Sequence, residues 1–220
     1  MNRQDIAKMI DISAVKTNVS VQEIDEMLEC AIENKLLCVF GMPCYVPYIA
    51  EKLKDYPDIL VGGVVGFPSG AEPTEVKVFQ TKWEIEHGAD EIDMVINVGY
   101  LQSGMYEETL NDIRAVVEAA QGKPMKVILE VGYLTDEEIK KGTEIVVASG
   151  ASFIKTGTGW SGVPTSLHHI DLINEVNQGR LKVKAAGGVN TPELLEAMVE
   201  KGVSRFGLGR ASLKKIFERL

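Results

Sequence analysis

The chain has 220 residues, 45% hydrophobic and 25% charged, the balance of a soluble globular protein with a packed core rather than a disordered or membrane-spanning one. A formal net charge of −9, with no basic stripe to offset it, repels a polyphosphate backbone and argues against nucleic acid as a partner. Three cysteines, Cys30, Cys38 and Cys44, form neither a disulfide framework nor a zinc spacing; with a first decapeptide that lacks an apolar signal core, they point to a reduced, cytoplasmic protein with no membrane association.

In chain order, a weak strand over 9–13 precedes the pair Ser20 and Glu23. Their capping-box spacing opens a helix over 20–34, on which Val21, Ile24, Leu28 and Ala31 share a face. Strand-like runs follow at 36–40, 59–65 and 91–96, then a helix over 106–120, a strand over 126–131 and a second capping box at Thr135 and Glu138. Runs at 152–155, 182–186 and 204–208 complete the series, the last preceded by Thr191 and Pro192 as N-cap and first helical residue. Eight short buried strands, each followed by a helical stretch, predict an α/β fold: a single-domain (β/α)8 barrel over residues 1–220. A doubly wound open sheet is the alternative, disfavoured because the first turn carries no dinucleotide fingerprint.

Such barrels place chemistry at the C-terminal ends of their strands, which singles out Asp11, Asp93, Glu130, Lys155 and Lys184. Alternation over 91–97 puts Ile92, Met94 and Ile96 on one face and Asp93 on the other, so Asp93 points inward if the apolar face meets helices. Lys155 and Lys184 sit near the ends of neighbouring strands. A single lysine there ordinarily keeps its head in solvent; two side by side disfavour each other's charge, which leaves an amine able to attack a carbonyl while Asp93 moves protons. Lys126 and Lys182 start their strands and are assigned to the opposite, stability-related face. Glycines after the last three strands, Gly157 with Gly159, Gly187 with Gly188, and Gly207 with Gly209 beside Arg210, suit either tight turns or a phosphate pocket to which Arg210 adds charge. His168 and His169, mid-helix, and His87, at a helix end, lack metal-ligand spacing, so no metal is expected. Trp160 either walls a ligand site or covers the core, and Glu130 either pairs with a lysine or is buried structure.

These residues resemble the deoxyribose-phosphate aldolases, class I barrel aldolases that work through a lysine Schiff base. The resemblance runs over nearly the whole chain and is most specific in Val64–Pro68, Gly88–Asn97, Phe153–Thr156 and Val183–Gly188. It implies that Lys155 forms the imine, Lys184 lowers its pKa, and Asp93 relays protons with a bound water. It further implies that Asp11 and Cys38 lie near the substrate, with Thr156, Thr158, Gly159, Gly187, Gly188, Gly209 and Arg210 around it. The implied reaction cleaves 2-deoxyribose 5-phosphate to acetaldehyde and glyceraldehyde 3-phosphate without metal or organic cofactor, and two copies of the chain pair as a homodimer.

The chain also departs from that pattern. The family's Asp-His-Thr-Leu-Leu-Lys reads Asp11-Ile12-Ser13-Ala14-Val15-Lys16, its Thr-Ser-Thr-Gly-Phe reads Thr156-Gly157-Thr158-Gly159-Trp160, and the serine-rich loop of strand eight reads Gly207-Leu208-Gly209-Arg210-Ala211-Ser212. Two hydroxyl donors are absent from the expected anion site, and the tail, Ile216 to Leu220, lacks the tyrosine many members carry. Two alternatives therefore stand beside the leading reading. One is a Schiff-base aldolase for another phosphorylated or acidic aldehyde; the other is a non-catalytic barrel that binds a sugar phosphate.

Overall fold

Short apolar strands satisfy their backbone only by pairing with one another, and helices between them cover the faces that result. The computed structural model, which describes residues 1–220, closes β1 (Ile10–Ala14), β2 (Cys38–Gly41), β3 (Leu60–Val65), β4 (Glu91–Val95), β5 (Met125–Ile128), β6 (Phe153–Lys155), β7 (Lys182–Ala186) and β8 (Val203–Leu208) into one parallel barrel in chain order. The helices are α1 (Arg3–Ala7), α2 (Val21–Asn34), α3 (Val46–Leu53), α4 (Thr74–Glu86), α5 (Val98–Gln102), α6 (Tyr106–Ala119), α7 (Asp136–Ser149), α8 (Leu167–Asn177), α9 (Pro192–Glu200) and α10 (Arg210–Phe217). No helix is long and apolar enough to cross a membrane.

Both expected capping boxes form, Ser20 with Glu23 and Thr135 with Glu138, and Thr191 caps α9 with Pro192 at its first position. The fifth strand stops at Ile128 rather than running to residue 131. Glu130 then takes a left-handed conformation, φ 57°, costly for a residue with a Cβ, and turns the chain out of the sheet. His168 and His169 lie in the first turn of α8 rather than its middle, with His168 Nε2 2.9 Å from Asp136 Oδ2.

The main apolar core fills the layer between strands and helices. A second, small cluster of Cys38, Phe40 and Val64 lies apart from it, with Phe40 inside the barrel near the lysines. Gly62 makes room for it: a Cβ there would lie 2.3 Å from the Phe40 ring. Most of the remaining interior is charged, and strand register decides which charges meet. Asp93 is level with Lys126, Lys155 with Lys184, and Lys184 with Arg205.

On α4 the usual polarity is reversed. Lys77, Thr81 and Glu84 are fully buried. Lys77 Nζ is 2.6 Å from Asp112 Oδ2 on α6 and donates to the Val95 carbonyl at 3.3 Å. Glu84 packs where Gly63 lacks a side chain and has no hydrogen-bonding partner for either carboxyl oxygen. Burial pushes its carboxyl up to about 9, so it is a neutral acid at pH 7. A folded-state value raised above the unfolded one favours the native state least at high pH: stability falls as pH rises from the unfolded value, near 4.5, to about 9. Glu84→Gln keeps the shape without the ionisable proton. It is expected to match the wild type near pH 5 and to exceed it by about 1–3 kcal/mol at pH 8 in urea unfolding. Parallel pH profiles for the two proteins would count against this.

Candidate active site

A cavity of about 470 Å³ opens at the C-terminal end of the barrel. Its floor is made by side chains that rise from the strands, because only inward positions of neighbouring strands can converge there. Lys155 ends β6 and Lys184 is the third residue of β7. Their Nζ atoms donate to one oxygen, Asp93 Oδ2, at 2.8 and 2.7 Å. The other Asp93 oxygen faces Lys126 Nζ at 3.0 Å.

A second tier lies below. Lys126 Nζ stands 2.7 Å from Glu91 Oε1, an ion-pair distance at an angle too poor for a hydrogen bond. Lys184 Nζ is 2.6 Å from Asp11 Oδ2. Arg205 donates from Nε to Asp11 Oδ1 at 2.8 Å, from Nη2 to that same oxygen, and from Nη2 to Glu91 Oε1 at 2.7 Å. Asp11, Cys38 and Glu91 bring three ligand-type atoms within 4.8 Å of one another, but the carboxylates are already met by Arg205 and the two lysines. The Phe40 ring lies 4.1 Å from Lys184 Nζ and 5.9 Å from Lys155 Nζ, so these cations rest on an aromatic face.

The arrangement sets the protonation of each group. Burial lowers Lys155 to about 8; Asp93 opposes that shift, and the Lys184 charge adds to it. Burial alone would raise Asp93, yet Lys126, Lys155 and Lys184 together hold it well below the usual carboxylate range. Asp11 is lowered in the same way, against burial, by Lys184, Lys126 and Arg205. The Cys38 thiol is pushed far up by burial and by Glu91 and Asp11, so it is no thiolate nucleophile. Three carboxylates thus face four cations inside the barrel, and a neutral Lys155 leaves the interior in balance.

Above the floor the pocket has a polar and an apolar wall. The polar wall is backbone: Gly187 and Gly188, at φ 89° and 80°, and the start of α10, whose N-cap Gly209 offers no side-chain acceptor. The first N–H groups of α10 are therefore available to an anion. Arg210 lines this wall, but its Nη1 donates to Glu26, so its guanidinium is turned aside from the expected fork around an anion. Lys16, Ser13 and Ser212 line the same cavity; the sequence reading gave them no role. On the apolar side Phe67 meets Trp160 edge-on at 6.2 Å, and Trp160 Nε1 donates to the Val15 carbonyl at 3.0 Å. Trp160 thus walls the site and straps its loop to the one after β1. Glu130 anchors that loop from below by accepting from the Thr158 backbone N–H at 3.2 Å and from its hydroxyl.

Of the residues singled out from sequence, Asp11, Lys155, Lys184, Thr158, Gly159, Gly187, Gly188, Gly209 and Arg210 line the cavity. Asp93 sits just beneath the two lysines. Cys38 is buried beside Asp11 and Glu91. Thr156 stands behind the wall, its hydroxyl 2.8 Å from the Thr165 hydroxyl and donating to the Ala186 carbonyl at 3.0 Å, a bond that ties the end of β6 to β7. Lys126, expected on the opposite, stability-related face, is instead fully buried inside the barrel, in the tier below the site, where it faces Asp93. Lys182, by contrast, is exposed.

Comparisons with known proteins give the family of the chain. The DeoC/LacD family aldolase profile matches residues 6–219. A deoxyribose-phosphate aldolase of Sinorhizobium medicae is 42% identical over 93% of this chain and 83% of its own length. That of Staphylococcus carnosus is 42% identical over 92% of both chains. Among solved structures, the aldolase QR15 superposes with a TM-score of 0.91 at 34% identity, covering 98% of this chain and 95% of its own. A profile spanning almost the whole chain, with relatives of this identity and coverage, places the chain in the DeoC/LacD family of aldolases.

Proposed function

We propose that the protein cleaves 2-deoxyribose 5-phosphate to acetaldehyde and glyceraldehyde 3-phosphate through a Schiff base on Lys155. The observation that carries this reading is the shared Asp93 oxygen. It holds two lysines at the floor of a pocket whose far wall offers backbone N–H groups to a phosphate. The names of the relatives at 42% identity supply the substrate.

The neutral Lys155 amine attacks C1 of the open-chain sugar, and loss of water gives the iminium. The C3 hydroxyl gives up its proton, the C2–C3 bond breaks, and its electron pair moves to C2 and into the iminium, forming the enamine as glyceraldehyde 3-phosphate leaves. Protonation at C2 and addition of water then release acetaldehyde and restore the amine. Lys184 and Asp93 are the groups through which these protons pass, because Asp93 Oδ2 touches both amines and Lys184 remains beside the reacting centre. The wall of glycines and the α10 N-terminus orients the phosphate, so binding energy away from C1 serves the bond cleavage.

The diversion of Arg210 to Glu26 favours keeping a second reading, the same imine chemistry on another phosphorylated or acidic aldehyde. An assay of acetaldehyde release from 2-deoxyribose 5-phosphate, beside a panel of phosphorylated and unphosphorylated acceptor aldehydes in the reverse direction, separates the two. The expected result is fastest turnover with the deoxyribose ester and a kcat/KM lower by about 100-fold or more for free deoxyribose. Preference for a different acceptor would transfer the assignment to the second reading, and ligand-induced thermal stabilisation without turnover would end both.

A further inference from the structure

Phe40 differs in kind from its neighbours. The barrel interior around it is charged, yet its side chain is aromatic, buried, and part of the lining of the cavity. The ring centre lies 4.1 Å from Lys184 Nζ, 5.1 Å from Lys126 Nζ and 5.9 Å from Lys155 Nζ. Phe40 is level with Gly62 on β3, and the ring fills the space that this glycine leaves, since a Cβ there would meet it at 2.3 Å. A large side chain set against a glycine in register on the next strand has one place to go in a close-packed interior. Contact with the ring offsets part of the desolvation of the lysines. Asp11 and Asp93 already meet the Lys184 charge, so that contact alone does not account for an aromatic residue at the cavity floor.

The cavity is uneven around these amines. Toward β7 and β8 it is lined by small residues, Ala186, Gly187 and Gly207; toward β2 and β3 it is lined by Phe40, Val64 and Phe67, which pack as one apolar cluster. The backbone groups offered to a phosphate lie on the small-residue side, at Gly187, Gly188 and the start of α10. With C1 bound to Lys155 Nζ and the C2–C3 bond leading toward the phosphate, the remaining positions on C2 face the Phe40 side. By ordinary bond lengths C2 of an imine lies about 2.5 Å from its nitrogen, and carbon atoms in contact are about 3.5–4.0 Å apart. A C2 directed at a ring centred 5.9 Å from Nζ therefore rests on that ring, with no space left between them for a further methyl group.

We propose that Phe40 is a specificity-determining residue that limits the donor half of the reaction to a two-carbon aldehyde by excluding substituents on C2. This inference rests on the imine at Lys155 proposed above. In the direction of synthesis, the Lys155 amine and the donor aldehyde condense with loss of water, and the iminium loses a proton from C2 to give the enamine. C2 then bonds to the aldehyde carbon of glyceraldehyde 3-phosphate, whose oxygen takes up a proton, and water returns the amine. Propanal follows the same steps but carries a methyl group on C2, which needs the space that the Phe40 ring occupies.

Paired kcat/KM measurements with acetaldehyde and propanal as donors, each added to glyceraldehyde 3-phosphate, test this on the full chain. The wild type is expected to prefer acetaldehyde by about 100-fold, within the range that one methyl group commands in an apolar pocket. Phe40→Val is expected to reduce that preference by about tenfold or more and Phe40→Leu, closer in volume, by about threefold. The double variant F40V/G62A is expected to fall between the two, because the alanine Cβ refills part of the vacated space. Circular dichroism checks folding, and the Leu and double variants carry the comparison if Phe40→Val does not fold. Borohydride trapping with acetaldehyde reads the imine separately. No ethyl group on Lys155 of the wild type would overturn the Schiff base and this inference with it. With that adduct in place, a wild type indifferent to the C2 methyl group, variants that lose rate equally with both donors, or a preference that does not follow the volume at positions 40 and 62 would each overturn the role of Phe40 alone.

Discussion

Lys155→Ala is expected to lower the cleavage rate of 2-deoxyribose 5-phosphate on the order of 10⁴-fold or more, because no other amine at the pocket floor is placed to form the imine. Lys184 is next to it but is engaged by both Asp11 and Asp93, and Lys126 lies in the tier below. Reduction with borohydride in the presence of acetaldehyde should leave an ethyl group on Lys155 in the wild type and none on the variant. An undiminished rate, or a trapped adduct on another lysine, would sink the assignment.

The same residue sets a pH dependence. Burial brings the Lys155 amine to about 8, so kcat/KM is expected to fall about tenfold per pH unit below that value, as the nucleophile takes up a proton. The Lys184 charge contributes to holding Lys155 down. Lys184→Met removes it, and protonation of Lys155 becomes easier. The acid limb of imine trapping is therefore expected to move to higher pH in this variant. A limb that stays in place or moves down would show that the lysine pair does not tune the nucleophile.

Arg205→Met is expected to be the most destabilising substitution in the barrel, costing about 3–5 kcal/mol in denaturant unfolding near pH 7. Its guanidinium is the bridge between Asp11 and Glu91, both buried. Without it two carboxylates face each other in the interior, and removing one side of a buried ion network leaves the other uncompensated. Arg205→Lys restores the charge but not the fork that reaches both acids, so its cost should be intermediate. The direction with pH follows from Asp11. Its carboxyl is depressed in the folded state, partly by Arg205, so the stability it contributes is present above the unfolded value and is lost as pH falls. The variant depresses it less, and the gap to the wild type should narrow toward acid. A constant gap would place the loss in packing rather than charge.

Activity should fall in Arg205→Met as well. Asp11 holds Lys184 at 2.6 Å, and an Asp11 released from Arg205 no longer fixes that amine against Asp93. Arg205 touches neither pocket nor substrate and acts here as a positioning residue.

The chain by itself determined the barrel, its element order and the central trio of the site. Each strand and helix is a local pattern, and caps such as Ser20 with Glu23 depend on residues three apart, so neighbouring side chains suffice to write them. Lys155, Lys184 and Asp93 were legible because polar residues in otherwise apolar strands near the catalytic rim need a reason. The end of β5 was not legible, since Glu130 leaves the sheet to reach Thr158, 28 residues away.

Which charges meet is set by the folded barrel. Lys126 and Lys182 look alike in sequence, each at the start of a strand, yet one is sealed in the barrel against Asp93 and the other is exposed. The stagger of the strands makes this difference, because it sets the second residue of β5 level with the middle of β4. Arg205 joins Asp11 across 194 residues of chain, and α4 turns Lys77 inward only because Asp112 waits for it on α6. Alternation along a strand or helix gives two faces; long-range register and the solvation of charge choose which of them is inside.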